Sequence, residues 1–257
     1  MFNQIIKIVI RKELEYKVDF CIKFFMSMIP VLITVLVWRS VYIKNNKQLI
    51  NNISYYEMIA YIMVTNIVFE IIKIERFDIA EEIKTGSISG FLLKPINYLF
   101  YKLQYYCVRV LVNITSYFIP LFIIFILTIN NYSDVFFFFV LLTEAAIIRF
   151  LITYILSLLT FWFFNVSGFF YVINIIISFL AGTLVPLEFL PTNVSKIFSC
   201  LPFRYLGYEC GACLYLKKEV ENQFVSIAEG GLWIILLFFV GKWIWKCGLE
   251  RFDAYGG

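Results

Sequence analysis

Six stretches of this chain, about 20–38, 55–72, 105–129, 135–163, 169–185 and 230–245, are apolar almost throughout. A helix needs about 20 mostly apolar residues to cross the hydrocarbon core of a bilayer, so each stretch predicts a membrane span. Composition points the same way. Of 257 residues, 61% are apolar, 20% aromatic and 16% charged, against roughly 45–50% apolar and about 25% charged in soluble domains. A water-soluble fold cannot conceal so much apolar surface. That sets aside a soluble enzyme, a nucleic-acid binder and a disordered chain. The expected fold is all-α: a polytopic membrane protein with six transmembrane helices forming a single transmembrane domain over residues 1–257.

The segments between the spans carry the remaining information. In residues 1–19, Phe2, Ile5, Ile6 and Val9 follow a helical spacing while Lys7, Arg11, Lys12 and Lys17 lie mostly elsewhere. This predicts an amphipathic helix lying in the membrane interface. The apolar run Ile5–Ile10 is short and interrupted by Lys7, which argues against a cleaved signal peptide. Residues 73–97 are too polar to span, and residues 186–229 form a longer mixed segment. Flanking Lys and Arg residues number 14 on the side of the N-terminal segment, the 73–97 loop and the C-terminal tail, against 7 on the other. By the positive-inside rule both termini are expected in the cytoplasm. Pro30 and Pro120 fall within expected spans and are candidates for local breaks.

Within the 73–97 loop, Ile79 and Ile83 sit one helical turn apart, with Glu81, Glu82 and Lys84 around them. The pattern predicts a short surface helix ended near Gly86, where glycine tolerates the left-handed backbone of a helix C-terminus. A second apolar set, Ile88, Phe91, Leu92 and Leu93, follows before Lys94-Pro95 interrupts the chain. Two readings stand side by side: an interfacial helix that anchors the loop to lipid, or a knob that docks into a groove on a cytoplasmic partner.

Few residues offer chemistry. The chain has no His, the commonest metal ligand and usual general base. Cys210 and Cys213 have redox or zinc spacing but no second ligand pair, so no metal and no catalytic residue are assigned. The only Gly-Lys pair, Gly241-Lys242, lacks the preceding glycine of a phosphate loop. No cofactor is therefore expected in this chain, and any ATP that drives it must be bound elsewhere. Glu144 and Arg149 fall inside the fourth span. Charges at that depth are costly and face protein or water. Five residues place them roughly 140° apart around a helix, so each is expected to meet a neighbouring helix or another subunit. With Asn113 in the third span, they are candidates either for an interhelix clamp or for a translocation path.

Lys84-Thr85-Gly86-Ser87-Ile88, then Leu92-Leu93-Lys94-Pro95 and Tyr98, resemble the cytoplasmic loop of type-2 ABC exporter permeases. A second likeness is the run Gly182-Thr183-Leu184-Val185-Pro186, then Phe189-Leu190-Pro191 and Leu201-Pro202-Phe203. The resemblance implies a coupling helix in the 73–97 loop that touches an ATPase subunit through Ile79, Glu82, Ile83, Gly86, Ile88, Phe91, Leu93, Lys94 and Pro95. It also implies short re-entrant outer helices set off by Gly182, Pro186, Pro191 and Pro202. Two ATP-binding-cassette subunits would bind ATP and Mg, and a second permease chain, identical or related, would complete the path. The setting would be the cytoplasmic membrane of a bacterium. The cargo would be hydrophobic or amphiphilic: a peptide, a lipid or a drug-like compound. The alternatives are an ion-coupled secondary transporter, an intramembrane enzyme and a membrane scaffold subunit that does not itself transport.

Overall fold

The computed structural model describes residues 17–45, 49–51, 53–74, 78–128, 132–163, 167–215 and 220–256. The interfacial helix expected over residues 1–19 falls almost wholly outside them. Among the described residues helix dominates, and strand is confined to one small hairpin, Leu49–Ile50 (β1) with Ile53–Ser54 (β2).

The first helix, α1 (Lys17–Asn45), runs through Pro30 without a break. After the hairpin, α2 (Tyr55–Ile71) opens on a capping box. The Glu57 N–H donates to the Ser54 hydroxyl, and the Ser54 N–H donates to the Glu57 carboxylate. Each bond satisfies an amide that the first turn leaves unpaired. α2 is the centre of the molecule. Met58, Ile62, Val64, Val68 and Ile71 are fully buried, and α1 and the helices Tyr98–Ser116, Phe118–Thr128 and Tyr208–Tyr215 pack around it. Two short helices follow in the polar loop, α3 (Asp78–Lys84) and α4 (Ser89–Leu92).

The third expected span is not one helix. It is α5 (Tyr98–Ser116) followed by α6 (Phe118–Thr128), separated at Tyr117. The reason lies in Pro120, which has no N–H to give to the Ser116 carbonyl and so ends the helical ladder there. The fourth expected span is α7 (Tyr132–Leu158), extended by a tight turn at Leu159–Phe161. The fifth, α8 (Ser167–Leu180), has only 14 residues.

The outer segment holds a tight turn at Leu187–Phe189, α9 (Thr192–Ser199), a second tight turn at Pro202–Leu206 and α10 (Tyr208–Tyr215). The final helix, α11 (Val220–Gly256), has 37 residues and begins ten residues before the apolar stretch does.

Among the described residues, three helical segments are long and apolar enough to cross a membrane: Phe25–Lys44, Ser133–Phe161 and Glu221–Phe252. The segment Gly168–Leu180 is apolar but shorter. The core is apolar, but so is much of the surface, while several polar side chains are buried. Leu32 and Leu36 on α1, Val172 and Ile176 on α8, and Leu232 and Phe239 on α11 point outward, while Glu144, Arg149, Thr153, Ser157 and Glu209 are buried. An apolar surface with the few intramembrane polar groups turned inward is the arrangement hydrocarbon solvent favours. The molecule is an all-α membrane protein.

α11 lies along α7 because glycines let it approach. A side chain at Gly230 would put its Cβ 2.5 Å from Glu144 Oε2. One at Gly248 would collide with the Phe161 ring, and one at Gly241 would touch the Tyr154 ring at 3.4 Å. Small residues at such seams permit the close packing on which helix association in membranes depends.

Candidate functional site

The polar loop folds into a small foot with a buried base and an exposed tip. Ile79, Ile83 and Ile88 are 8%, 5% and 0% exposed, and α3 packs against α7 and the turn after it. These three residues, read from the sequence as contacts for a partner, face the body of the chain and hold the foot in place. An apolar side chain on a seven-residue helix has more surface to bury against its own bundle than against water. Gly86 adopts φ +73°. Its N–H donates to the Ile83 carbonyl at 3.2 Å, and the Ile88 N–H donates to the Glu82 carbonyl at 3.2 Å, which closes the end of α3. The chain then turns through α4. Leu93 is 89% exposed, and Leu92, Lys94 and Pro95 are exposed beside it.

The foot is locked to the helices behind it. The Glu82 carboxylate accepts from the Tyr98 hydroxyl at 2.5 Å and from Lys102 Nζ at 2.5 Å. The Phe91 ring meets Tyr98 edge to face at 5.5 Å and lies under the ammonium groups of Lys94 and Lys102 at 5.3 and 5.4 Å. Tyr98 in turn stacks on Trp245 of α11 at 5.1 Å and 16°, and Trp245 faces Tyr154 of α7 at 6.3 Å. A continuous set of contacts therefore runs from α3 and α4 through the start of α5 into α7 and α11. Tyr98, Lys102 and Trp245 were not marked as site residues in the sequence. Lys102 and Trp245 lie 20 and 163 residues from Glu82, beyond any local periodicity.

The intramembrane charges separate as their offset implies. Arg149, 2% exposed, donates from Nη2 to Asn174 Oδ1 on α8 at 2.6 Å and stands over the Phe69 ring of α2 at 5.5 Å. Its Nε and Nη1 have no hydrogen-bond partner among the described residues. Glu144 instead faces α11, in the notch left by Gly230, with the Tyr205 ring beside the same position. Asn113 donates from Nδ2 to the Ile71 carbonyl at 2.9 Å, and the Tyr106 hydroxyl donates to the Ile72 carbonyl at 2.7 Å. These two residues of α5 satisfy carbonyls that the end of α2 leaves unpaired.

At the other end of the molecule, each proline marked in the sequence opens a helical turn. Pro186 precedes Leu187–Phe189, Pro191 precedes α9, and Pro202 is the first residue of Pro202–Leu206. A fixed φ and a missing N–H suit that position. Gly182 takes φ +72° and turns the chain out of α8. The carbonyls freed there are claimed by other elements. Tyr61 Oη donates to Gly182 at 2.8 Å, the Tyr208 N–H to Ala181 at 2.8 Å, and Trp38 Nε1 to Leu184 at 3.1 Å. α10 is buried between α2 and α7, with Gly211 pressed against Tyr61 and Thr65. Arg204 pairs with Glu209 at 3.3 Å and with Glu229 on α11. This cluster, too, went unmarked in the sequence, because its members come from three elements.

A family model described as "ABC-2 family transporter protein" matches residues 25–256. The match covers most of the chain, which therefore belongs to the ABC-2 family of transporter proteins and is a membrane protein of the permease type. A search of curated proteins finds no match.

Proposed function

We propose that this chain is the membrane-spanning permease subunit of an ATP-binding-cassette exporter. It crosses the cytoplasmic membrane six times, through α1, α2, α5 with α6, α7, α8 and α11, with both termini in the cytoplasm. A separate ATPase subunit, in two copies, binds ATP and Mg, and a second permease chain completes the path. Pro186 to Tyr215 form re-entrant outer helices. The cargo is hydrophobic or amphiphilic, in keeping with a chain whose polar side chains are spent on holding helices together. Membership of the ABC-2 family supports the class.

The observation that carries the coupling is the foot, a bare apolar tip on a buried base. Leu93 at 89% exposure, with Leu92 exposed beside it, forms an apolar tip that suits docking into a groove on a partner. Movement of the ATPase subunits would press on Leu92 to Pro95. The Glu82 bonds to Tyr98 and Lys102 would pass that displacement to α5, and the Tyr98–Trp245–Tyr154 stack would pass it to α11 and α7. On this reading Arg149 and Glu144 are interhelix clamps that keep the moved helices in register.

The test is to purify the tagged chain from its host and identify what comes with it. An ATP-binding-cassette subunit should copurify with the unaltered chain. Leu93→Asp should lose it without a change in the chain's own thermal unfolding. Absence of an ATPase from the unaltered chain, or transport by the chain alone under an ion gradient, overturns the proposal.

A further inference from the structure

Arg149 sits close to the middle of the apolar segment Ser133–Phe161 and is 2% exposed. A guanidinium is always charged and carries five N–H donors. Nη2 donates to Asn174 Oδ1 at 2.6 Å, while Nε and Nη1 have no partner among the described residues. The acceptor is a neutral amide, which accepts a hydrogen bond without balancing the charge. The acid near the end of α2, Glu70, attracts Arg149 across space but gives both oxygens to Lys73 at 2.9 and 3.0 Å. The Tyr106 hydroxyl is spent on the Ile72 carbonyl. Among the described residues, no carboxylate bonds Arg149.

A buried cation without its counter-charge is costly, and ionisable residues at that depth mark substrate and ion paths. The open donors define the missing partner. Nη2 carries two hydrogens, one directed alongside Nη1 and one alongside Nε. Whichever of them Asn174 takes, the other completes a two-donor fork, the geometry that holds both oxygens of a carboxylate. One positive charge is balanced by one negative charge, whereas a phosphate monoester, with nearly two, would leave a buried excess. Depth argues against the phosphate of a resident phospholipid, because the middle of the hydrocarbon core lies about 15 Å from either headgroup layer. Access lies on the side of α8. That helix packs chiefly on the Pro202–Leu206 turn. Asn174 is partly exposed, and Tyr171, Val172, Ile175 and Ile176 around it face outward. The Asn174 amide thus stands between the cation and apolar surroundings.

We infer that Arg149 binds the carboxylate of an amphiphile, held at mid-membrane with its apolar body against α8. The inference rests on the proposed exporter reading, in which it names the charged end of the cargo. Asn174 holds the guanidinium in place, and the arriving carboxylate takes the remaining Nη2 hydrogen together with Nε or Nη1. The bond to Asn174 persists, so Arg149 still ties α8 to α7.

The experiment is binding of radiolabelled oleate to the full chain in phosphatidylcholine nanodiscs, with empty discs subtracted and with oleamide or acetate as competitor. The unaltered chain should bind oleate saturably. At equal concentration oleamide should not compete, because it brings no charge, and acetate should not, because it has no apolar body. Arg149→Gln should weaken binding about tenfold, the worth of a charge-assisted hydrogen bond, and Arg149→Lys should restore part of it. Asn174→Asp supplies the carboxylate from within the chain. It should raise the unfolding temperature while lowering oleate binding about tenfold, a combination that loss of fold cannot produce. Lys196→Gln, on exposed α9, should leave binding unchanged. Equal binding by Arg149→Gln and the unaltered chain overturns the inference, as does undiminished binding by Asn174→Asp or competition by oleamide equal to that of unlabelled oleate. Displacement by acetate at equal concentration overturns the amphiphile assignment. The measurement requires no ATPase. Arg149-dependent binding by a chain with which no ATPase copurifies removes the exporter reading and leaves the carboxylate site standing. A copurifying ATPase with binding that ignores Arg149 removes the carboxylate site alone.

Discussion

Lys102 Nζ stands 2.5 Å from Glu82 Oε1, and this contact joins the foot to the first turns of α5. The Lys102 side chain is 11% exposed and that of Glu82 22%, so both have given up most of their water. The pair is better shielded than a surface ion pair, and Glu82 also holds the Tyr98 hydroxyl.

Glu82→Ala should destabilise the chain by about 1–2 kcal/mol. Charged hydrogen bonds are worth roughly 1.5–3 kcal/mol, discounted here for the exposure that remains. Glu82→Gln should cost less, since the amide oxygen still accepts from Tyr98. Thermal unfolding of the purified chain reads both. A double-mutant cycle with Lys102→Met should show coupling of about 0.5 kcal/mol or more. Strict additivity would mean the pair contributes nothing.

Two pairs of glycines should behave oppositely. Gly86 has φ +73° with open space around it, whereas Gly90 has open space and no positive φ. Gly86→Ala should cost about 1–2 kcal/mol for the left-handed backbone alone, and Gly90→Ala should be near neutral. In the helices, a Cβ at Gly211 would stand 2.5 Å from Thr65 Cγ2 and 2.8 Å from the Tyr61 ring, and one at Gly231 would meet nothing. Gly211→Ala should destabilise by about 1–3 kcal/mol through overpacking. Gly231→Ala should stabilise by up to about 1 kcal/mol through helix propensity. Similar unfolding temperatures for Gly211→Ala and Gly231→Ala would contradict this packing of α10 on α2.

Arg204 neutralises Glu209, whose side chain is 1% exposed. Arg204→Met leaves that carboxylate buried without its cation and should cost about 3 kcal/mol, toward the lower end of the range for breaking a buried pair. Adding Glu209→Gln should recover about 1 kcal/mol or more, because the uncompensated charge is gone. Arg204→Met and the double variant unfolding together would show that charge does not decide the cluster's stability. Glu229, with a side chain 49% exposed, should contribute little when changed to Gln.

The sequence alone determined the class of fold, the turn at Gly86 and the separation of Glu144 from Arg149. Each follows from local rules: hydropathy over a span's length, the left-handed preference of glycine and the 100° step of a helix. Pro30, a candidate break, is accommodated inside α1. Pro120 was marked as a possible break, but that the third stretch divides at Tyr117 emerged only from the structure. Tertiary structure alone decided which side of the foot is buried, that Glu82 binds Tyr98 and Lys102, that Arg149 finds Asn174, and that Arg204 gathers acids from two helices. Those pairings join residues from 16 to 25 positions apart in the chain, except Arg204 with Glu209, whose meeting depends on how α10 enters the bundle. No local pattern encodes them, because what selects each partner is the cost of leaving a buried polar group unpaired once the helices have packed.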